Sequence, residues 1–453
     1  MKIPVFLAVQ TGDDLLRSTL AERFGRDVRS ALRDRLHRGI ERFSLDDAFD
    51  VLPAGRAMAR RIGLPEINLG EGLLRHLAVR GEIEVDDIHQ VPETLNGNPV
   101  LADPVVGTYL TCLNDNPIGT ADDVAARLNV AALRAGGLDG DGVAIAIVDT
   151  GINLDWLEQK LGFRPKLDTQ YSWRPPNVNV EPGAYPVGHG TMCAYAALLA
   201  APKATLIDVP AFIGTPAGGS VIGQRLSIAY QGIAQLSAFW SIAFTASGAP
   251  KYKALVISNS WGMYHPSDDF PAGHRGRYSD NPQHVFTRSV SAMCAIDHVD
   301  VVFAAGNCGG ECPDANCRDV TTSTITGANA CGDVLTVAGC NLSDERVGYS
   351  SQGPGIAGMA ANKPDVAAYT HFLGSEALGP GRPDKGTSAA GPLVVGCIAA
   401  LRTRLDPAVM SPATLNEHLR RAARKPFGGD WNKDIGFGIV DPVAVAAGLN
   451  LVS

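Results

Sequence analysis

After about residue 120, short apolar runs alternate with longer stretches in which apolar residues recur with helical spacing. The apolar runs are VAIAIVD, ALVISNS, VDVVFAAG and DVLTVAG, at residues 143–149, 254–260, 299–306 and 333–339. The helical stretches cover residues 223–244 and 282–296, together with the run that begins near Ser388. A continuous apolar run is typical of a strand that is buried on both faces. The alternation therefore predicts an α/β fold with a mostly parallel central sheet and helices on both of its faces.

The beginning of the chain has a different pattern. A strand is predicted at residues 3–9, and apolar residues at four-residue steps between residues 16 and 40 predict a helix. Residues 17–42 contain eight arginines and four acidic residues, which is typical of a solvated helix face and is also compatible with a docking surface. We expect a smaller α+β region here.

Two further segments set the domain boundaries. GEIEVDDIHQV at residues 81–91 alternates like an edge strand, and the Pro-, Asn- and Gly-rich residues 92–104 have the composition of a linker. We therefore predict an N-terminal region at 1–105, a linker at 106–124 and a large domain at 125–453.

Composition narrows the classes of protein. The chain has 453 residues, of which 45% are hydrophobic, and a net charge of −8, which indicates a globular protein and argues against a nucleic-acid binder. No apolar run approaches the roughly 20 residues of a membrane span. The first apolar run, IPVFLAV, ends in Gln-Thr-Gly-Asp-Asp without a cleavage pattern for a signal peptide. These features predict a cytoplasmic protein with no membrane partner.

Nine cysteines cannot all pair within one chain. Four lie singly, at positions 112, 193, 294 and 397, and the others cluster as Cys308, Cys312, Cys317, Cys331 and Cys340. The cluster matches no standard zinc spacing. A structural zinc, a local disulfide and free thiols all remain open for it.

Polar residues follow the predicted strands at the edge where the carboxyl ends of parallel strands meet. Asp149 ends the first run and Asn307 follows the third, while His189 lies between two glycines and opens an apolar helix. Ser388 lies in GTSAAG at the start of another helix, with Pro392 expected in its first turn. Glycines beside His189 are expected to leave room for a substrate or a partner side chain.

Each residue has a simpler interpretation when it is taken alone. Ser388 is a suitable helix N-cap, and a lone histidine is usually structural. Asp149 begins an Asp-Thr-Gly loop like that of an aspartic protease, but that chemistry needs a second such loop and the chain has none. An α/β-hydrolase is disfavoured because its nucleophile elbow has glycine two residues after the serine, where this chain has Ala390.

Taken together, the four residues supply an orienting carboxylate, a base, an oxyanion donor and a nucleophile in the chain order of subtilisin. Over about residues 125–447 the sequence resembles the subtilisin-like serine proteases, or subtilases. The motifs that carry the resemblance are AIVDTGI, GHGT, AAGN and GTSAAGP, with ISNSWG, YSSQGP, NKPDVAA and GFGIVD. The resemblance implies a subtilisin-like three-layer fold and a serine endopeptidase with the catalytic residues Asp149, His189, Ser388 and Asn307.

The resemblance also implies a substrate-binding set. Ser260, Trp261 and Gly262 would pair with an extended substrate backbone, and Ala304, Ala305 and Gly306 would wall the pocket for the residue before the scissile bond. Trp261 would make that subsite bulky and apolar, with a preference for hydrophobic or medium-sized side chains.

The motifs depart from the family near the site. GHGT continues with Met192, Cys193, Ala194 and Tyr195, and Ala389, Ala390 and Gly391 follow the serine. Cys193 lies one helical turn after His189, which places it either beneath the imidazole or simply in the core. The first position would make the enzyme sensitive to mercurials.

Several alternatives remain open at this point. The N-terminal region resembles a family prodomain loosely and is alternatively a regulatory domain that binds a partner. A catalytically silent scaffold that binds proteins is the second function class. No cofactor is required for acyl transfer, although calcium, for example at Asp268 and Asp269, or structural zinc is an open alternative. The expected substrate is a protein or peptide.

Overall fold

The computed structural model describes residues 1–10, 43–46, 48–54, 76–108, 111, 116–246, 251–295 and 298–452. The predicted helix at 16–40 and the arginine-rich residues 17–42 lie outside these ranges. Within them, no helix combines the length and the apolar character needed to cross a membrane.

The described part of the N-terminal region forms an antiparallel sheet. Its strands are β1 Lys2–Gln10, β2 Phe43–Leu45, β3 Leu52–Ala54, β4 His76–Glu84, β5 Thr94–Leu95 and β6 Asn98–Ala102. They lie in the order β2-β4-β1-β6-β5, and β3 also pairs with β4. β1 pairs with β4 from Lys2 opposite Glu84 to Gln10 opposite His76, which confirms the strand predicted at 3–9.

Two predictions for this region are wrong. The segment at 81–91 is not an edge strand, because β4 ends at Glu84 and lies between β1 and β2. The segment at 92–104 is not a linker, because it forms the β5–β6 hairpin and β6 pairs with β1. Asn96 and Gly97 have positive φ angles of 48° and 77°, so they form the tight turn that an Asn-Gly pair favours between two strands.

The large domain is built on a seven-stranded parallel sheet, as the apolar runs predict. Its strands are β8 Val143–Asp149, β9 Lys166–Leu167, β10 Thr205–Pro210, β12 Ala254–Asn259, β14 Asp300–Ala304, β15 Leu335–Cys340 and β16 Val366–Tyr369. They lie in the order β16-β15-β14-β12-β8-β10-β9. Every residue of β8 is buried, as a central strand that is covered on both faces requires.

Helices cover this sheet. They are α1 Ala121–Arg127, α2 Val130–Ala135, α3 Leu154–Leu161, α4 His189–Ala200, α5 Leu226–Ala246, α6 Val285–Ala295, α7 Thr387–Arg402, α8 Pro412–Ala422 and α9 Pro442–Gly448. All residues of α7 are buried, and a Cβ at Gly396 would lie 2.1 Å from the carbonyl oxygen of Ala197, so α7 and α4 pack backbone to backbone. This contact joins the two helices that begin at His189 and Thr387.

A third, small sheet connects the two regions. It consists of β7 Val105–Thr108, β11 Gly223–Arg225 and β13 Trp261–Gly262, with β7 in the centre. Residues 106–108 of the predicted linker therefore lie in a strand, and residues 121–124 lie in α1. In the described residues, the segment that connects the two regions therefore begins with β7 and ends with α1.

Candidate active site

Asp149 is the last residue of β8 and His189 is the first residue of α4. Nδ1 of His189 lies 2.8 Å from Oδ1 of Asp149, and the same oxygen accepts a hydrogen bond from the backbone N–H of Thr150 at 2.8 Å. Because Asp149 is only 1% exposed, its carboxylate is held firmly. Of the two tautomers of a neutral imidazole, it favours the one with the proton on Nδ1, which leaves Nε2 as a proton acceptor.

The two glycines beside His189 have different roles. A Cβ at Gly190 would lie 2.5 Å from the carbonyl oxygen of Gly151, so glycine lets α4 begin close to the loop after β8. A Cβ at Gly188 would meet nothing closer than 3.9 Å. The expected free space on both sides of His189 therefore exists only at Gly188.

Cys193 lies beneath the imidazole, in the first of the two positions considered from the sequence. Its Sγ is 3.8 Å from Nδ1 of His189, 3.6 Å from Oδ2 of Asp149 and 3.4 Å from the carbonyl oxygen of Ser388. Burial, reinforced by the Asp149 carboxylate, raises the pKa of this thiol well above its usual value, so it stays protonated. The thiol thus lies among all three segments that carry the predicted triad.

Ser388 is the second residue of α7, and Gly386 is the N-cap, so the N-cap interpretation of Ser388 is wrong. Pro392 lies inside the helix and not in its first turn. Because proline has no N–H, it cannot donate the usual helical hydrogen bond to the carbonyl four residues earlier, which is that of Ser388. The hydroxyl of Ser260 donates to this carbonyl instead, at 3.2 Å.

The structure brings the serine beside the Asp149–His189 pair without a hydrogen bond between Ser388 and His189. Oγ of Ser388 lies 3.4 Å from the carbonyl oxygen of Ser260, and the buried Nε2 of His189 has no hydrogen-bond partner among the described residues. Catalytic hydrogen bonds are often long in the absence of substrate and tighten when it binds.

Asn307 follows β14, and its amide is oriented by Thr387. Oδ1 of Asn307 accepts hydrogen bonds from the backbone N–H and the hydroxyl of Thr387, at 3.0 and 3.1 Å. A Cβ at Gly386 would lie 2.8 Å from Nδ2 of Asn307, and Gly386 has a φ of 81°, so this position requires glycine on both counts. The amide donor therefore lies beside the first turn of α7.

The predicted substrate strand is occupied by the chain itself. β7 lies between β11 and β13, with Thr108 opposite Trp261 and Gly107 opposite both Gly262 and Gly223. The backbone of Ser260–Gly262 was expected to pair with an extended substrate. In the structure, residues 105–108 of the chain take that place along Trp261 and Gly262.

The other predicted pocket residues are buried. Ala304 packs in one apolar cluster with Tyr264 and the disulfide-bonded Cys308 and Cys317, and Ala305 and Gly306 follow it. The indole of Trp261 is fully buried and packs against the rings of Phe212, Phe286 and Phe303. The expected preference for hydrophobic or medium-sized side chains stays a prediction.

The clustered cysteines include both disulfide-bonded residues and free thiols. Cys308 and Cys317 form a disulfide directly after Asn307, and Cys312 is also disulfide-bonded. Cys331 and Cys340 are buried free thiols. The local disulfide is therefore the alternative that the structure supports for Cys308 and Cys317.

The other metal candidates differ in their surroundings. Asp268 forms an ion pair with Arg318 at 3.1 Å, and Asp269 accepts hydrogen bonds from the backbone N–H groups of Phe270, Tyr278 and Ser279. Among the described residues, the group with metal-ligating geometry is Asp149, His189 and Cys193, whose ligand atoms lie within 4.8 Å of one another. A metal ion there would compete with the Asp149–His189 hydrogen bond.

Two further buried carboxyl groups lie near these segments. Burial raises the pKa of Asp208, on β10, and of Asp384, two residues before Gly386, to about 7 in each case. Both groups are thus mostly protonated below pH 7. In that pH range, these two carboxyl groups add little negative charge to the candidate site.

Sequence reasoning missed several residues that orient the site. The hydroxyl of Thr387 accepts from the N–H of Gly306, Tyr349 accepts from the N–H of Gly386, and Thr150 accepts from the N–H of Gly190. Thr387 and Thr150 could have been identified from the sequence, because each is adjacent to a predicted catalytic residue. Tyr349 begins the YSSQGP motif, but its contact with Gly386 depends on the fold and not on the local sequence.

Comparison with known proteins gives one family. The model of the "Subtilase family", Peptidase_S8, matches residues 140–438. A search of curated proteins finds no match.

Several solved structures are similar to the chain. One is the MycP3 protease from the type VII (ESX-3) secretion system, at 17% identity and a TM-score of 0.49, covering 76% of this chain and 92% of that chain. A lanthipeptide protease has 18% identity and a TM-score of 0.48, covering 75% of this chain and 100% of that chain. MycP1 from Mycobacterium smegmatis has 18% identity and a TM-score of 0.45, covering 76% and 90% respectively.

Proposed function

The chain belongs to the subtilase family and is a subtilisin-like serine protease that acts on proteins or peptides, and from this premise we propose that it is an endopeptidase that works through Asp149, His189 and Ser388. The observation that carries the proposal is the 2.8 Å hydrogen bond between His189 and Asp149, with the Ser388 turn packed beside it.

In the proposed reaction, Oγ of Ser388 attacks the carbonyl carbon of the scissile peptide bond. Nε2 of His189 takes the hydroxyl proton and delivers it to the leaving amine when the C–N bond breaks. Water then attacks the carbonyl carbon of the acyl-enzyme while Nε2 of His189 takes its proton. His189 gives this proton to Oγ of Ser388 when the ester C–O bond breaks, which restores the serine hydroxyl. Asp149 holds the imidazole in its tautomer and stabilises the imidazolium that forms.

Asn307 is the proposed oxyanion donor, together with the backbone N–H of Ser388. The first N–H groups of a helix have no partner within it, and Ser388 lies in the first turn of α7. Thr387 holds Oδ1 of Asn307 and thereby orients the side-chain amide, whose Nδ2 is the proposed hydrogen-bond donor to the developing oxyanion.

We assign the N-terminal region the role of an inhibitory prodomain. Phe6 of β1 packs against the rings of Tyr230 and His284, and Ser227 donates its N–H and its hydroxyl to the buried carboxylate of Asp103. These contacts attach the N-terminal sheet to the large domain, and β7 blocks the strand position where a substrate would bind.

This arrangement predicts self-cleavage. Register places Thr108 opposite Trp261, so in an extended substrate the following residue would lie opposite Ser260, whose carbonyl oxygen is 3.4 Å from Oγ of Ser388. We propose that the cut follows Tyr109. A regulatory partner for the N-terminal region stays a prediction, because the arginine-rich residues lie outside the described ones.

A fluorophosphonate probe tests the proposed nucleophile. We expect one adduct on the wild-type protein, located at Ser388 by peptide mass mapping, and none on Ser388→Ala. Because β7 covers the cleft, uncut chains should label more slowly than self-cleaved ones. A folded protein that stays unlabelled even after limited proteolysis of the N-terminal region would favour the silent scaffold.

Cys193 gives a second prediction. We expect Hg²⁺ to inactivate the wild type, because a metal ion on Sγ of Cys193 would disturb both Asp149 and His189. Cys193→Ala should retain activity and resist Hg²⁺, measured by peptide hydrolysis at matched concentrations. The variant keeps the free thiols of Cys294, Cys331, Cys340 and Cys397, so equal inactivation of both proteins would assign the effect to those thiols.

Location and cofactors stay predictions. The sequence favours the cytosol, whereas the Cys308–Cys317 disulfide is typical of an oxidising compartment. The proposed acyl transfer needs no metal ion.

A further inference from the structure

Gly107 occupies a closed position in the cleft. It lies in the middle of β7, between β11 and β13, and is buried. A Cβ built on it would lie 2.2 Å from the carbonyl oxygen of Ile222 and 3.1 Å from both the carbonyl carbon of Ile222 and Cε2 of Tyr264. Real Cβ atoms essentially never come within 3.0 Å of a heavy atom from another part of the chain, so any residue other than glycine would need the cleft to move.

The groups around Gly107 are held by hydrogen bonds. The carbonyl of Ile222 accepts from the backbone N–H of Thr108 at 3.1 Å, and the hydroxyl of Tyr264 donates to the carbonyl oxygen of Thr108. The closest group is backbone and not the flexible end of a side chain. Moving Ile222 away to admit a side chain would stretch the hydrogen bond that holds the bound strand.

The neighbouring positions of the strand have different surroundings. Val106 is fully buried and belongs to the main apolar cluster, whereas Val105 is partly exposed. Along the strand, the buried side chain of Val106 is thus followed directly by a position that has no room for a side chain.

The register of the strand shows how many residues separate Gly107 from the carbonyl that Ser388 attacks. Gly107 is opposite Gly262, Thr108 is opposite Trp261, and a residue opposite Ser260 would come next. The carbonyl oxygen of Ser260 is 3.4 Å from Oγ of Ser388, so a substrate residue opposite Ser260 would present the carbonyl that is attacked.

We propose that this cleft selects peptides with glycine two residues before the residue whose carbonyl Ser388 attacks. The proposal rests on the proposed endopeptidase function. It names the substrates as extended segments of the form Gly-X-X, cut after the second X, in the chain itself and in other proteins.

A set of synthetic peptides tests it with the self-cleaved protein. The parent peptide is residues 103–113 with Cys112→Ser, and two variants carry Gly107→Ala or Val105→Ala. The alanine at position 107 should reduce kcat/KM about 10- to 100-fold, the effect of overpacking a fitted site. Val105→Ala should change it by less than about threefold, because that side chain is partly exposed. Mass spectrometry should locate the cut after Tyr109.

A parallel fluorophosphonate titration separates the two proposals. Labelling of Ser388 with equal cleavage of the glycine and alanine peptides overturns the glycine selection but leaves the endopeptidase intact. Labelling with no cleavage of the parent peptide also overturns the selection. Absence of both labelling and hydrolysis overturns the proposed function and the inference that rests on it.

Discussion

A chain that carries Ser388→Ala should remain at full length, whereas the wild type should separate into two fragments after Tyr109. Removal of Oγ leaves His189 with no hydroxyl to deprotonate, and loss of a nucleophile of this kind costs about 10⁶-fold in kcat. Intact mass after reduction of the disulfides measures the two species directly. The fluorophosphonate adduct should disappear in the same variant.

Ser343→Ala is a matched control, because Ser343 is exposed on a loop of the large domain. It should process like the wild type. Processing of Ser388→Ala at the same bond and rate would contradict self-cleavage and assign the cut to another protease.

Asp149→Asn should reduce the rate of peptide hydrolysis by about 10³- to 10⁴-fold. The amide has nearly the shape of the carboxylate, and its oxygen can still accept from Thr150 and from Nδ1 of His189, as Oδ1 does now. The variant lacks the negative charge that stabilises the imidazolium formed when Ser388 attacks. The loss should therefore appear in kcat with little change in KM.

Asp155→Asn provides the comparison, since the Asp155 side chain is 87% exposed and pairs with Arg164 at the surface. It should differ from the wild type by less than about twofold. A loss smaller than tenfold in Asp149→Asn would show that the Asp149–His189 contact orients the histidine without contributing electrostatically.

Much of the large domain could be predicted because its strands are recognisable from short stretches of the sequence. Strands that are buried on both faces appear as uninterrupted apolar runs, and 143–149 and 299–306 correspond closely to β8 and β14. The carboxyl ends of parallel strands meet at one edge, so the sequence alone places Asp149 and Asn307 there.

Predictions based on composition were weaker. The Pro-, Asn- and Gly-rich segment 92–104 was predicted as a linker, and it is a hairpin because Asn96–Gly97 turns it back onto β1. Pro392 was expected in a first turn, and it lies deeper in α7, where it leaves the Ser388 carbonyl to Ser260. In both cases a residue type was recognised, but its position within the element depended on long-range pairing.

The sequence by itself determined the parallel sheet, the order of the four proposed catalytic residues and the position of Cys193 one turn after His189. The sheet follows from the apolar runs and the position of Cys193 from spacing along one helix, whereas the roles of the four residues follow from their chain order and from the resemblance of their motifs to those of the subtilases. Only the tertiary structure decided that residues 105–108 fill the substrate position and that Ile222 and Tyr264 close around Gly107. Those contacts join residues more than a hundred positions apart, and the distance from a backbone carbonyl to an absent Cβ leaves no pattern in the amino-acid sequence.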